Sequence, residues 1–209
     1  MSLTPTSHPL IPLSLLEAIR NLDTPLDDGL NELAGETVSK RFGLSTTVAQ
    51  QIERYREDAG RNLQIESEEA VSIFRLVGRR PDAALVFADA GRRAARYVAR
   101  ARGRMVQLLL RASPRGMRGR LGARSARSAA RRLLGLELDL AHGSPELRLT
   151  ETLATLAGYP GIGCYFYSSA IAELLRLTSG FEGAMGHERC RARGDELCVW
   201  RGALPEGDE

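Results

Sequence analysis

The residues with the most chemistry to offer lie near the C-terminal end of the 209-residue chain. Cys190 and Cys198 are equally spaced about Gly194. If Gly194-Asp195 is the tip of a β-hairpin, the two cysteines face one another on adjacent strands, with Cβ atoms roughly 4.5–5.5 Å apart. Two thiolates so placed can share a tetrahedral zinc ion, each at about 2.3 Å. His187 lies three residues before Cys190, a short chelate spacing, and Cys164 opens an apolar stretch upstream. If that stretch is a helix packed on the hairpin, Cys164 completes a set of three cysteines and one histidine. On spacing alone two other readings stay open. The thiols could be buried and inert, since unpaired cysteine is among the most buried residue types. A Cys190–Cys198 disulfide is also sterically possible, but a reducing compartment disfavours it.

The surrounding pattern supplies the elements such a site needs. Leu136-Glu137-Leu138-Asp139-Leu140 alternates strictly, as a half-buried strand does. Gly143-Ser144-Pro145 is turn chemistry, and Leu147 and Leu149 alternate again, so 136–151 is expected to be a hairpin. Gly161 to Leu177 is expected to be helical, with Ile162, Phe166, Ile171, Leu174 and Leu175 apolar and Gly180 as its C-cap. Phe181 to Trp200 then forms a second hairpin.

Upstream the period is helical. Leu13, Leu15, Leu16, Ile19 and Leu22 share one face. Thr24-Pro25 is a helix-start signal for a second helix through Val38. A third helix runs from Val48 to about Gly60, and a fourth from Glu68 to Val77. From Asp82 a basic helix turns Leu85, Val86, Ala90, Ala94, Tyr97 and Val98 inward, and another covers Ser125 to Leu134. Ser113 to Gly116 and Gly119 to Gly122 read as a mobile connection between them. The expected class is α+β: N-terminal helices packed with a four-stranded antiparallel sheet made of two hairpins around a central helix. The expected divisions are a flexible tail over 1–12, a mainly helical part over 13–134, the hairpin–helix–hairpin over 135–201 and a flexible tail over 202–209.

The stretch from Gly186 to Trp200 resembles the C-terminal signature of 4-vinyl reductase domains: an acidic residue shortly before a cysteine, a glycine-aspartate turn, then cysteine and an aromatic. Gly163-Cys164-Tyr165-Phe166-Tyr167 is similar to that family's cysteine-bearing helix. The resemblance is specific over 135–201 and only topological before that. It implies zinc-ligand roles for Cys164, Cys190 and Cys198, as in the aromatic-sensing regulators that carry such a domain, and a structural Zn2+ as cofactor. It also implies a fold like that of vesicle-tethering TRAPP subunits, often dimeric. Those sensors place a glutamate where this chain has His187, with Glu188 next to it. Successive strand residues point to opposite faces, so one of the two is expected to coordinate. His187 is favoured because it holds the matching position and imidazole suits zinc; Glu188 is the fallback. A ligand set filled by protein leaves no position for water, so the metal is expected to be structural rather than hydrolytic.

Composition narrows the function. Three cysteines do not make a disulfide scaffold. No stretch approaches 18 apolar residues, and the N-terminus lacks the pattern of a signal peptide, so a cytoplasmic protein without a membrane span is expected. Of the 29 basic side chains only Lys40 is a lysine, which reflects a GC-rich bacterial genome. Sixteen arginines and two acids fall between Arg79 and Arg132, between acidic flanks. These arginines are read as solvated helix faces pairing with those flanks; with few aromatics between them, nucleic-acid binding is the weaker expectation. No P-loop, H-E-x-x-H or dinucleotide fingerprint is present, so neither a catalytic residue nor a redox cofactor is assigned. The leading expectation is a module that binds or senses a hydrophobic small molecule, with Tyr165, Phe166 and Tyr167 lining its pocket, and that acts through a protein partner. The resemblance makes a tetrapyrrole of bacteriochlorophyll biosynthesis one candidate ligand. The alternative is a homodimeric interaction scaffold with no ligand.

Overall fold

A computed structural model describes residues 6–24, 45–101, 115–140, 144–159 and 161–203. Its helices are α1 (Leu10–Asp23), α2 (Thr46–Gly60), α3 (Ser67–Gly78), α4 (Ala83–Ala101), α5 (Arg115–Ala129), α6 (Leu153–Leu156) and α7 (Tyr165–Ser179). The strands are β1 (Thr6–Ser7), β2 (Ile65–Glu66), β3 (Leu138–Asp139), β4 (Glu146–Leu149), β5 (Ala184–Arg189) and β6 (Cys198–Ala203). β1 and β2 form a small antiparallel pair, and the other four make one antiparallel sheet in the order β3-β4-β6-β5. This is the expected α+β arrangement, with α7 between the two hairpins in sequence.

Helices α1, α4 and α7 form the centre of the core. Leu13, Leu15, Leu16 and Ile19 of α1 are buried, as are Val86, Phe87, Ala90, Ala94 and Val98 of α4. Each fully buried leucine or isoleucine contributes roughly 1.5–3 kcal/mol of transfer free energy, so this stack outweighs any surface ion pair. α4 approaches α7 at Gly91, where an added Cβ would lie 2.3 Å from the Phe166 carbonyl oxygen. Only a residue without a side chain allows the two backbones so close. Phe166 fills the junction, its ring 5.6 Å from Phe74 at a steep angle. Buried polar groups on α1 are answered: Tyr97 donates to Glu17 at 2.8 Å and Arg56 donates to it at 2.9 Å. Arg80 clamps Asp23 at the end of α1 and Asp82 ahead of α4, at 2.7 and 2.8 Å.

Local chemistry sets several boundaries. Ser45 caps α2 by accepting the Val48 N–H, and Thr152 with Thr155 forms a capping box that starts α6. α7 ends on Gly180, the expected C-cap.

The structure corrects several expectations. The 1–12 segment is not a flexible tail from Thr6 onward, because β1 pairs with β2 and Leu10 and Ile11 are buried. Pro9 and Pro12 suit the start of α1, where backbone N–H groups have no intrahelical partner. His8 is likewise buried, its Nδ1 accepting the Leu10 N–H at 3.2 Å. Leu85 does not turn inward; it is 64% exposed, displaced by the small face of Ala90, Gly91 and Ala94 that meets the neighbouring helices. From Arg115 the expected mobile connection is helix, and Gly122 packs directly on the Thr178 backbone of α7. The basic helix expected from Ser125 is the end of that same α5, which closes in a π-helical turn over Ala130–Leu134. Gly161 to Cys164 is a turn ahead of α7 rather than its first turn. Gly202 and Ala203 belong to β6 rather than to a tail. The helix expected from Thr24-Pro25 to Val38 lies outside the described residues, apart from Thr24 itself.

Candidate metal centre

Cys190 and Cys198 are brought together by the β5–β6 hairpin. The ladder pairs Arg189 with Val199, so the next rung sets Cys190 opposite Cys198. One step further along, the register slips: His187 pairs with Trp200, and Glu188 is the extra residue of a β-bulge. The slip matters because residues three apart on a regular strand face opposite sides. With one residue bulged out, His187 returns to the face that carries Cys190, Cys198 and Trp200.

The turn between the cysteines is tied to the site. Gly194 adopts φ +97°, a left-handed conformation that favours glycine. Asp195 accepts the Cys190 N–H through its carboxylate at 2.7 Å, and the Cys190 carbonyl accepts the Arg193 N–H at 2.7 Å. The Arg191 N–H donates to Cys198 Sγ at 3.4 Å. Such an N–H to sulfur bond orients the sulfur and stabilises a thiolate. Cys164 arrives from the other side, at the N-cap of α7, and α7 is held there by its packing on α4.

Ligand atoms of Cys164, His187, Cys190 and Cys198 all lie within 4.8 Å of one another, and the three sulfurs are buried. A tetrahedral ion with bonds of about 2.3 Å needs its donors about 3.8 Å apart, so closing on a metal requires side-chain shifts of about 1 Å or less. His187 Nε2 is buried and has no hydrogen-bond partner. An orphaned imidazole nitrogen on a residue of this cluster is an unsatisfied group that a metal would answer. The ring stacks on Trp200, with centroids 4.6 Å apart and planes 11° apart, which fixes its orientation.

Electrostatics agree with a site that needs a cation. Burial, and then the neighbouring Cys190, push the Cys164 thiol up to about 12, and burial also raises Cys198. Burial and the Arg193 guanidinium lower His187, which keeps the imidazole neutral with a lone pair to offer. Three sulfurs in one buried place cannot all ionise unless a positive ion joins them, so loading such a site releases protons. This Cys3His cluster could hold a metal ion such as zinc.

Glu188, the fallback ligand, does not join the cluster: it is exposed and pairs with Arg201 at 3.1 Å. The aromatic trio does not share one cavity. Phe166 is wholly buried in the core. Tyr167 is also buried, accepts the Leu153 N–H at 3.0 Å and packs on Trp200 at 5.4 Å. Only Tyr165, 52% exposed, lines an open cleft of about 780 Å3 between α7 and β5, beside Cys164 and His187. The site roles of Asp195, Arg191 and Trp200 were not expected; the Gly194-Asp195 turn was the one signal pointing to the first. Among the described residues no helix is long and apolar enough to cross a membrane. Comparisons with family models, curated proteins and solved structures give no match to this chain.

Proposed function

We propose that the chain is a zinc-stabilised, 4-vinyl-reductase-like domain that binds or senses a hydrophobic small molecule and passes that signal to a partner. The observation that carries the reading is the Cys164, His187, Cys190 and Cys198 cluster, with its orphaned imidazole nitrogen. Three thiolates and an imidazole are a donor set suited to zinc, and with all four positions filled by protein the ion is structural. It fastens the β5–β6 hairpin to α7. A cytoplasmic setting, where thiols stay reduced, belongs to the same reading.

The ligand part of the reading is supported by the cleft between α7 and β5. Ile162, Tyr165, Ala172 and Met185 give it apolar walls, and its volume is in the range of small-molecule sites. A tetrapyrrole is the candidate class that the family resemblance offers. Because the cleft adjoins Cys164 and His187, a ligand there would touch the elements the metal holds. A second reading, a homodimeric scaffold without ligand, is favoured by β5 being the sheet edge beside the exposed Ile162 and Tyr165.

Native mass spectrometry of the purified chain tests these together. One zinc per chain is expected, retained by Glu188→Ala and lost by His187→Ala. A metal-to-protein ratio near zero ends the zinc reading. A co-purifying apolar compound, or thermal stabilisation by an apolar library, supports the sensing role; neither appearing counts against it. A strict monomer in light scattering ends the scaffold reading.

A further inference from the structure

Among the described residues, several arginines of the basic segment are answered by acids. Arg80 meets Asp23, Arg93 meets Asp89, and Arg96 meets Glu173, all within 2.9 Å. A cleft of about 910 Å3 lies between the end of α5, its π-helical turn and strands β3 and β4. Arg124, Arg127, Arg131 and Arg148 all line it, with Ser128 and Leu138. Arg124, Arg127 and Arg131 follow one another at three- and four-residue spacing, so they lie on one helical face and span about 10 Å of its axis. Arg148 reaches in from β4, on the far wall.

Three of these guanidinium groups are under-used, whereas Arg148 pairs with Glu146 two residues before it on β4. Arg124 has no hydrogen-bond or ion-pair partner among the described residues. Arg131 meets Glu137 only at 3.9 Å, and Arg127 meets Asp139 at 3.5 Å. Both carboxylates are largely in solvent, at 80% and 65% exposed, so these pairs are screened and weak. Arg127 is also pre-positioned, because its Nε donates to the Leu138 carbonyl at 2.9 Å and its Nη2 lies 3.5 Å from Asp139. Four arginines against Glu137, Asp139 and the Glu146 that pairs with Arg148 leave an excess of one positive charge, centred on Arg124.

We propose that this cleft binds a small phosphorylated ligand, with phosphate groups held by Arg124 and Arg131 along the helix and by Arg148 from the opposite wall. A phosphate ester carries close to two negative charges and accepts from several forks at once, whereas a lone carboxylate occupies one. The 10 Å run of arginines suits two phosphates separated by a sugar. The cleft, lined from α5 and from β4, favours a compact molecule over an extended backbone. The site lies at the β3–β4 end of the sheet, away from the β5 edge and the cysteine cluster, so it is independent of the metal reading.

Calorimetry on the full purified chain tests the assignment, with fructose 1,6-bisphosphate as the probe because it competes weakly for any bound metal. Saturable binding that weakens as salt rises is expected. Arg124→Gln combined with Arg148→Gln should weaken it at least about tenfold. Arg92→Gln, on an exposed face of α4, should leave it unchanged, and both variants should keep the parent melting temperature. No binding at low salt overturns the proposal, and so does equal weakening by Arg92→Gln. Binding of a short random DNA duplex, or of vesicles containing anionic phospholipid, that needs Arg124 and Arg148 while the bisphosphate fails to bind also overturns it.

Discussion

Helices α1, α4 and α7 bury Leu13, Leu15, Leu16, Ile19, Phe87 and Phe166 among themselves, whereas β5 presents the largely polar run Ala-Met-Gly-His-Glu-Arg. In the helical stack every turn supplies apolar area, so its stability is spread over many side chains. Along β5 only Met185 is fully buried, and the hairpin turn carries Arg191, Ala192, Arg193 and Gly194 with none of them buried. An element with so little apolar surface needs another device to hold its place, and the cysteine–histidine cluster is positioned to be that device. Damage should therefore spread differently in the two regions: locally and metal-dependently in the hairpin, globally and metal-independently in the stack.

The largest effect should come from the cluster. Cys198→Ser is expected to abolish zinc retention and to cost about 4–5 kcal/mol, the range reached when a structural metal is lost. Hydrogen exchange should show amide protection lost over 184–203 while α1 and α4 keep theirs. Uniform loss along the chain would mean that the two regions are not separable. Phe166→Ala tests the other side. It should cost about 3–5 kcal/mol in denaturant unfolding while leaving one zinc per chain in the folded protein.

A smaller effect concerns pH. The Arg176 and Arg96 guanidinium groups hold the Glu173 carboxyl down to about 2, against the opposing effect of its burial. A carboxyl whose folded value lies below its unfolded one binds fewer protons in the native state. Its contribution is present above the unfolded value near 4.5 and is lost as pH falls toward about 2. Because both arginines are half exposed, each pair should be worth about 1 kcal/mol or less. Glu173→Gln should thus lower the urea midpoint slightly at pH 6 and not at pH 2. Comparing variant and parent at each pH cancels the acid release of metal common to both. The smallest effect should be that of Leu85→Ser, within about 0.5 kcal/mol, since that side chain is already in solvent.

Much of the C-terminal region was legible because alternation, turn residues and cysteine spacing all report local geometry. The two hairpins, the helix between them and the gathering of Cys164, His187, Cys190 and Cys198 follow from such short-range signals. The bulge at Glu188 did not. Strict alternation back from Cys190 puts Glu188, not His187, on the cysteine face, so the preference for His187 came from chemistry and resemblance rather than from strand periodicity. A bulge depends on how the partner strand pairs, which no local pattern in β5 encodes. The same applies to Leu85 and His8. Which side of α4 is buried is decided by the close approach at Gly91, and His8 is buried because β2, nearly sixty residues away, pairs with the strand before it. The tyrosine and phenylalanine trio shows the reverse error. Adjacent residues on a helix point in different directions, so three in a row cannot line one wall.

Trp200 is the single tryptophan of the chain, and its indole lies flat against the imidazole of His187. The protein thus has a built-in optical gauge at the cluster. Drawing an imidazole into a metal's field changes the electron demand of the ring stacked on the indole, so emission should shift when a chelator strips the ion and return when zinc is restored. Stopped-flow fluorescence can then time metal capture on the unmodified chain. His187→Phe would keep a stacked ring and silence that signal.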